Sequence, residues 1–88
     1  MDPTKGLQFG MTRQLKNKFE QMPEVRQQVE LALNRFLKDD WGDISDADKE
    51  ENRKSKQADG DYVLGKYPDE IIVLRQYENV TVMLASEY

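Results

Sequence analysis

The chain has 88 residues, of which 34% are charged and 38% apolar, and a formal net charge of −4. That length holds one domain with one modest core, and the apolar residues are clustered and periodic, which separates a folded chain from a disordered one. Cysteine and histidine are both absent, which excludes thiol nucleophiles, disulfides, Ser-His and Cys-His pairs and every Cys/His zinc site.

Residues 1–10 contain Pro3, Gly6 and Gly10 and read as a lead-in, with Leu7 and Phe9 alternating as a brief edge strand. Thr12 is placed to cap a first helix that runs to about Gln21, with Leu15, Phe19 and Met22 on one face. Pro23 suits the first turn of a second helix, because its missing N–H would be unpaired there anyway. Val25, Val29, Ala32, Leu33, Phe36 and Leu37 form its apolar stripe, the strongest helical pattern in the chain. This helix should stop within Asp39–Gly42. Ser45 followed three residues later by Asp48 resembles a capping box. It opens a third helix with acids in its first turn, bases after them, and only Ala47 and Ala58 as apolar residues. Such a helix belongs on the surface, and Gly60 is its natural stop.

From Tyr62 the period changes to two. Tyr62–Tyr67, Ile71–Tyr77 and Val80–Ala85 read as three strands, with turns at Pro68-Asp69-Glu70 and Glu78-Asn79. Ile71-Ile72-Val73-Leu74 is apolar on both faces and belongs at the centre of the sheet. The expected fold is α+β: N-terminal helices packed on one face of a three-stranded antiparallel β-meander, with an additional polar surface helix. One domain, 1–88, then divides into a lead-in (1–10), helices (12–38), an acidic turn and polar helix (39–61) and the meander (62–88).

The charge is uneven. Residues 1–38 carry seven Lys/Arg and four Asp/Glu, residues 39–61 four and nine, and residues 62–88 two and four. An acidic chain is a poor general binder of nucleic acid, whose affinity comes from Lys/Arg on phosphates. The acidic stretch opens with Asp39-Asp40-Trp41-Gly42-Asp43. A calcium loop needs a glycine at its sixth position and a bidentate Glu at its twelfth. Counting from Asp43 gives Asp48 and Lys54, and counting from Asp40 gives Ser45 and Glu51, so neither register fits. No nucleophile elbow surrounds Ser45, Ser55 or Ser86, and no phosphate-binding glycine motif is present. A sheet this small also leaves little room for the cavity that paired-carboxylate catalysis requires. The expectation is a chain that is not an enzyme and has no catalytic residue, cofactor or metal.

Trp41, the only tryptophan, is expected to plug the joint where the second helix hands over to the third, its indole N–H satisfied by a nearby carboxylate or carbonyl. Gly42 would supply the turn. Asp43, Asp46, Asp48, Glu50 and Glu51 remain as candidate partner-binding residues. Arg13, Lys16, Lys18 and Arg26 form the alternative, basic surface, which reads first as a solvated face. Tyr62, Tyr67, Tyr77 and Tyr88 are expected mainly on the sheet surface and edge.

Asp40-Trp41-Gly42-Asp43, then Asp48-Lys49 with Asn52, then Gly60 before a strand ending in Tyr67, and finally Thr81-Val82-Met83-Leu84 with Glu87-Tyr88, together resemble a small bacterial family of plasmid-related proteins found on mobile elements. The resemblance covers residues 40–88. Its pattern has a tryptophan early in the second strand and a proline before the final acidic pair. Here those positions hold Ile71 or Ile72 and Ala85 or Ser86. The motif carries no assigned chemistry, so the resemblance implies a plasmid or phage origin and no activity.

These readings converge on a small acidic interaction module of the cytoplasm. Its partner would be a protein with a basic surface, with nucleic acid disfavoured and no membrane. The partner would meet the acidic stretch or an open sheet edge. A narrower form is an inhibitor that places carboxylates where phosphates sit on a basic nucleic-acid-binding host protein, in the manner of an anti-CRISPR protein. The alternative is a nucleic-acid-associated accessory module working through the basic first helix. No membrane span is expected, since no apolar run approaches ~18–20 residues and no charged-then-apolar leader opens the sequence. The lack of disulfides fits a reducing compartment.

Overall fold

The computed structural model describes residues 6–57 and 62–88. In chain order the elements are β1 (Gln8–Met11), α1 (Arg13–Gln21), α2 (Pro23–Leu37), α3 (Asp46–Gln57), β2 (Val63–Tyr67), β3 (Ile71–Gln76) and β4 (Asn79–Leu84), followed by a 3-10 turn at Ala85–Glu87. The expected stop of α3 at Gly60, and its second alanine, Ala58, lie outside the described residues.

The fold is α+β, but the sheet is larger than the expected meander. It has four strands in the order β1-β4-β3-β2, with β1 parallel to β4 and the other pairs antiparallel. The brief strand at Leu7–Phe9 is therefore real, displaced by a residue or two, and it makes the sheet mixed. The added pairing is between the two ends of the chain, which no local periodicity can register.

α1 and α2 pack together on one sheet face, α1 against β4 and α2 against β3. The alternation of the strands sends Val63 and Tyr67, Ile71 and Val73, and Val80, Val82 and Leu84 into that layer, where they meet Leu15 of α1 and Val29, Ala32 and Phe36 of α2. On the opposite face Leu64, Ile72 and Met83 form a smaller buried cluster with Leu74 at its margin. The two-sided apolarity of Ile71–Leu74 thus marks an interior strand, as expected, because β3 is flanked by β2 and β4.

Thr12 occupies the position before α1, and its carbonyl accepts the Lys16 N–H at 2.8 Å. Its hydroxyl makes no cap, however. It donates to Glu87 Oε1 at 2.6 Å, and that same oxygen accepts the Leu84 N–H at 3.1 Å. One carboxylate therefore ties the end of β4 to the start of α1. Pro23 opens α2 as expected. The β3–β4 turn is made by Tyr77-Glu78, not Glu78-Asn79, since Gln76 pairs with Asn79. That register aligns Val80, Val82 and Leu84 with the helix-facing residues of β3, and it leaves Tyr77 with a positive φ of 54°. No helix among the described residues is long and apolar enough to cross a membrane.

Candidate interaction surface

The acidic turn is first of all a structural joint along the outer edge of β2. After α2 ends, Arg35 Nε and Nη2 donate to the two carboxylate oxygens of Asp40 at 2.7 and 3.2 Å. The Gly42 N–H also donates to Asp40 Oδ1, at 3.2 Å. The Arg35 guanidinium, and then the Gly42 N–H, hold the Asp40 carboxyl below the usual carboxylate range. Arg35 also lies 5.1 Å from the centre of the Tyr67 ring. The Tyr67 hydroxyl donates to the Asp40 carbonyl at 2.8 Å. Tyr67 is the exception to the expectation that the tyrosines lie mainly at the sheet surface and edge: it is buried, because β2 alternation turns it into the core beside Val63. Tyr62, Tyr77 and Tyr88 are exposed. Asp39 pairs with Lys56 near the end of α3.

Trp41 is 7% exposed and sits in the main core with Phe36, Val63 and Tyr67. The packing role expected of it holds, but the expected hydrogen bond does not. Its indole N–H is buried and has no partner among the described residues. The carboxylates around it are committed elsewhere, Asp40 to Arg35 and Asp39 to Lys56. Gly42 has φ +73°, and a Cβ there would run into the carbonyl of Lys66. That contact matters because the chain lies directly against β2: the Lys66 N–H donates to the Trp41 carbonyl at 2.9 Å, and the Asp43 N–H donates to the Lys66 carbonyl at 2.8 Å. Glycine is needed both for the left-handed backbone and for the close approach.

Asn52 completes the edge. It is 2% exposed, the one buried polar residue among those described. Its amide nitrogen donates to the Leu64 carbonyl at 2.8 Å, and its amide oxygen accepts the Leu64 N–H at 3.0 Å. One side-chain amide thus pairs both outward backbone groups of Leu64, as an added strand would. This role was not legible as helix periodicity. The available signal was the lack of any apolar face that could dock α3.

With these roles assigned, the five candidate carboxylates separate. All are exposed. Glu50 pairs with Arg53 at 3.0 Å and Glu51 with Lys54 at 3.9 Å, both within α3. Ser45 Oγ accepts the Asp48 N–H at 3.1 Å and so caps the helix as expected. Asp43, Asp46 and Asp48 form no ion pair among the described residues. Beside them the hydroxyls of Tyr62 and Tyr88 meet at 2.7 Å. That hydrogen bond, then burial, then the Tyr88 and Asp48 charges push the Tyr62 hydroxyl up to about 12. Asp43 borders a concavity of about 380 Å³ shared with Lys66, Glu70, Ile72 and Tyr88, so the surface has more relief than its small sheet suggests. No group of three or more carboxylates among the described residues converges in a way that could hold a metal ion.

The alternative basic surface remains open to solvent. Arg13, Lys16, Lys18 and Arg26 are exposed and form no ion pair among the described residues. Phe19, the aromatic among them, packs against the core. The chain matches no protein-family model, no curated protein and no solved structure.

Proposed function

We propose that this chain is a small, non-enzymatic protein-interaction module that binds a basic protein surface through Asp43, Asp46 and Asp48. The observation that carries this reading is the division of labour among the acids of residues 39–51. Asp39, Asp40, Glu50 and Glu51 are neutralised by cations of the same chain, while these three are exposed and unpaired among the described residues. Asp46 and Asp48 also face the positive pole of α3, which stabilises them without removing their outward charge. Exposed Tyr62 and Tyr88 beside them add aromatic faces on which Lys or Arg side chains can stack. The narrower form is an inhibitor that occupies the phosphate-contacting surface of a nucleic-acid-binding host protein. The plasmid-family resemblance of residues 40–88 supports a mobile-element origin for it.

The test is affinity capture from a bacterial lysate with elution by a salt gradient, repeated with Asp43→Asn, Asp46→Asn and Asp48→Asn combined. Asparagine keeps the size and shape of the side chain and removes the charge. Basic partners should elute as salt rises, because contacts between exposed charges are screened. The triple variant should bind roughly tenfold more weakly, given three rim ion pairs. Capture that survives both high salt and the triple variant refutes the reading.

A further inference from the structure

The two edges of the sheet are treated differently. On β2 the outward backbone groups of Leu64 are paired by Asn52 and those of Lys66 by Trp41 and Asp43. On β1 the Gln8 N–H donates to the Glu78 carbonyl at 2.7 Å and the Thr12 N–H donates to the Val82 carbonyl at 3.1 Å. Strand alternation therefore turns residues 8, 10 and 12 toward β4 and the backbone groups of Phe9 and Met11 outward. Nothing among the described residues pairs with those outward groups. Gln8–Met11 contains no charge and no proline, the usual devices that keep an edge from pairing. Phe9 is 46% exposed and borders a shallow concavity of about 360 Å³ with Leu33 and Leu37 of α2, rimmed by Glu30 and Asn34.

We propose that β1 pairs antiparallel with β1 of a second copy of this chain, about a twofold axis through Gly10. In that register Phe9 stands opposite the partner's Met11, and each such pair exchanges both backbone hydrogen bonds. The outward donors and acceptors at positions 9 and 11 are then all satisfied in both copies. Gly10 falls opposite the partner's Gly10, and a Cβ built on Gly10 meets nothing within 4 Å, so the axis passes through open space. The twofold places both helical layers on the same side of a continuous sheet, with Phe9 and Leu37 of each copy turned toward the other. The interface is isologous and closes at two copies. Charge favours the same geometry. β1 is neutral, and the densest cluster of carboxylates unpaired among the described residues, Asp43, Asp46 and Asp48, lies by β2 and α3 at the far edge of the sheet, leaving Glu30 and Glu78 as the acids nearest β1. The dimer would therefore carry its two acidic faces at opposite ends, where they repel least. This pairing stands independently of what the acidic face binds.

The test uses the full chain, measured by sedimentation equilibrium over a wide concentration range together with cysteine cross-linking. The native chain has no cysteine, so a single introduced thiol reports one position. The wild type should approach twice its chain mass, and Phe9→Lys should remain at the monomer mass with an unchanged circular dichroism spectrum. Facing Gly10 residues form a non-hydrogen-bonded pair with Cα atoms about 4.5 Å apart, within disulfide range. Gln8 residues would be separated by roughly 13 Å. Under mild oxidation Gly10→Cys should give a covalent dimer at least about ten times faster than Gln8→Cys. A wild type that stays monomeric at every concentration overturns the proposal, even if an extended strand of another protein later proves to bind this edge. Equal cross-linking at the two positions, or a dimer untouched by Phe9→Lys, overturns it as well.

Discussion

Asn52 and Trp41 are both buried beside β2, and their polar atoms have opposite fates. The Asn52 amide is matched atom for atom by the backbone of Leu64, whereas the Trp41 N–H is unmatched among the described residues. Trp41 therefore contributes through the area of its ring, and Asn52 through hydrogen bonds whose loss strands two backbone groups. Asn52→Ala should cost about 2–3 kcal/mol in chemical denaturation, the penalty of leaving buried partners unpaired. Asn52→Asp is the sharper experiment. Its carboxylate can still accept from the Leu64 N–H, but it faces the Leu64 carbonyl without a proton to donate. Burial and that carbonyl raise the folded carboxyl above its unfolded value, so the folded state binds the extra proton. The deficit of Asn52→Asp relative to wild type should then be largest at neutral pH and shrink as pH falls through the raised value. A deficit that does not change with pH would refute this account of the contact.

At the scale of elements, α2 and β3 are the parts most fully written in local sequence. The Val25–Leu37 stripe needs only a 3.6-residue period, and Ile71–Leu74 needs only apolarity on both faces. Of the expected α2 stripe, Val29, Ala32 and Phe36 are fully buried. α3 obeys a different logic. Its start is legible in Ser45 and Asp48, but its position is not, because it docks through the Asn52 amide and the Lys56–Asp39 pair and not through a hydrophobic stripe. The joint that precedes it depends on Gly42. Gly42→Ala should destabilise by about 1–3 kcal/mol for the left-handed backbone alone, with a further cost because the new Cβ meets the Lys66 carbonyl. Amide exchange should show the Lys66 and Asp43 N–H groups losing protection before the centre of β3 does. Uniform loss across the sheet would mean that the joint is not a separate element. β1 and the Tyr77-Glu78 turn were only partly legible. The first depends on a partner strand near the other end of the chain, and the second on which residues of β4 must face the helices.

For the molecule as a whole, the titrating groups bound the pH range of stability. Burial raises the Tyr67 hydroxyl, and the bond to Tyr88 pushes Tyr62 up to about 12. Both hold protons in the fold that the unfolded chain releases near pH 10. Their contribution is therefore fully present below about pH 10 and is lost as pH rises toward 12. Denaturation midpoints should fall across that window, and Tyr62→Phe should reduce the fall. An equal fall in Tyr62→Phe would rule out the Tyr62–Tyr88 pair as a source. Asp40 has the opposite sign: Arg35 depresses its carboxyl, so its contribution is present above about pH 4 and is lost as pH falls further. Its exposure to solvent keeps that acid-side effect small. By itself the sequence determined the helical stripes, the central strand, the burial of Trp41 and the concentration of acid around α3, because each is a matter of spacing or composition within a short window. Only the tertiary structure decided that β1 joins β4, that Tyr67 lies in the core, that Asn52 and the Trp41–Asp43 backbone close one edge of the sheet, and that Asp43, Asp46 and Asp48 stay without an ion pair among the described residues while Asp39, Asp40, Glu50 and Glu51 find one. Those outcomes depend on which hydrogen-bonding and charged groups meet across long stretches of chain, and no local period encodes such meetings.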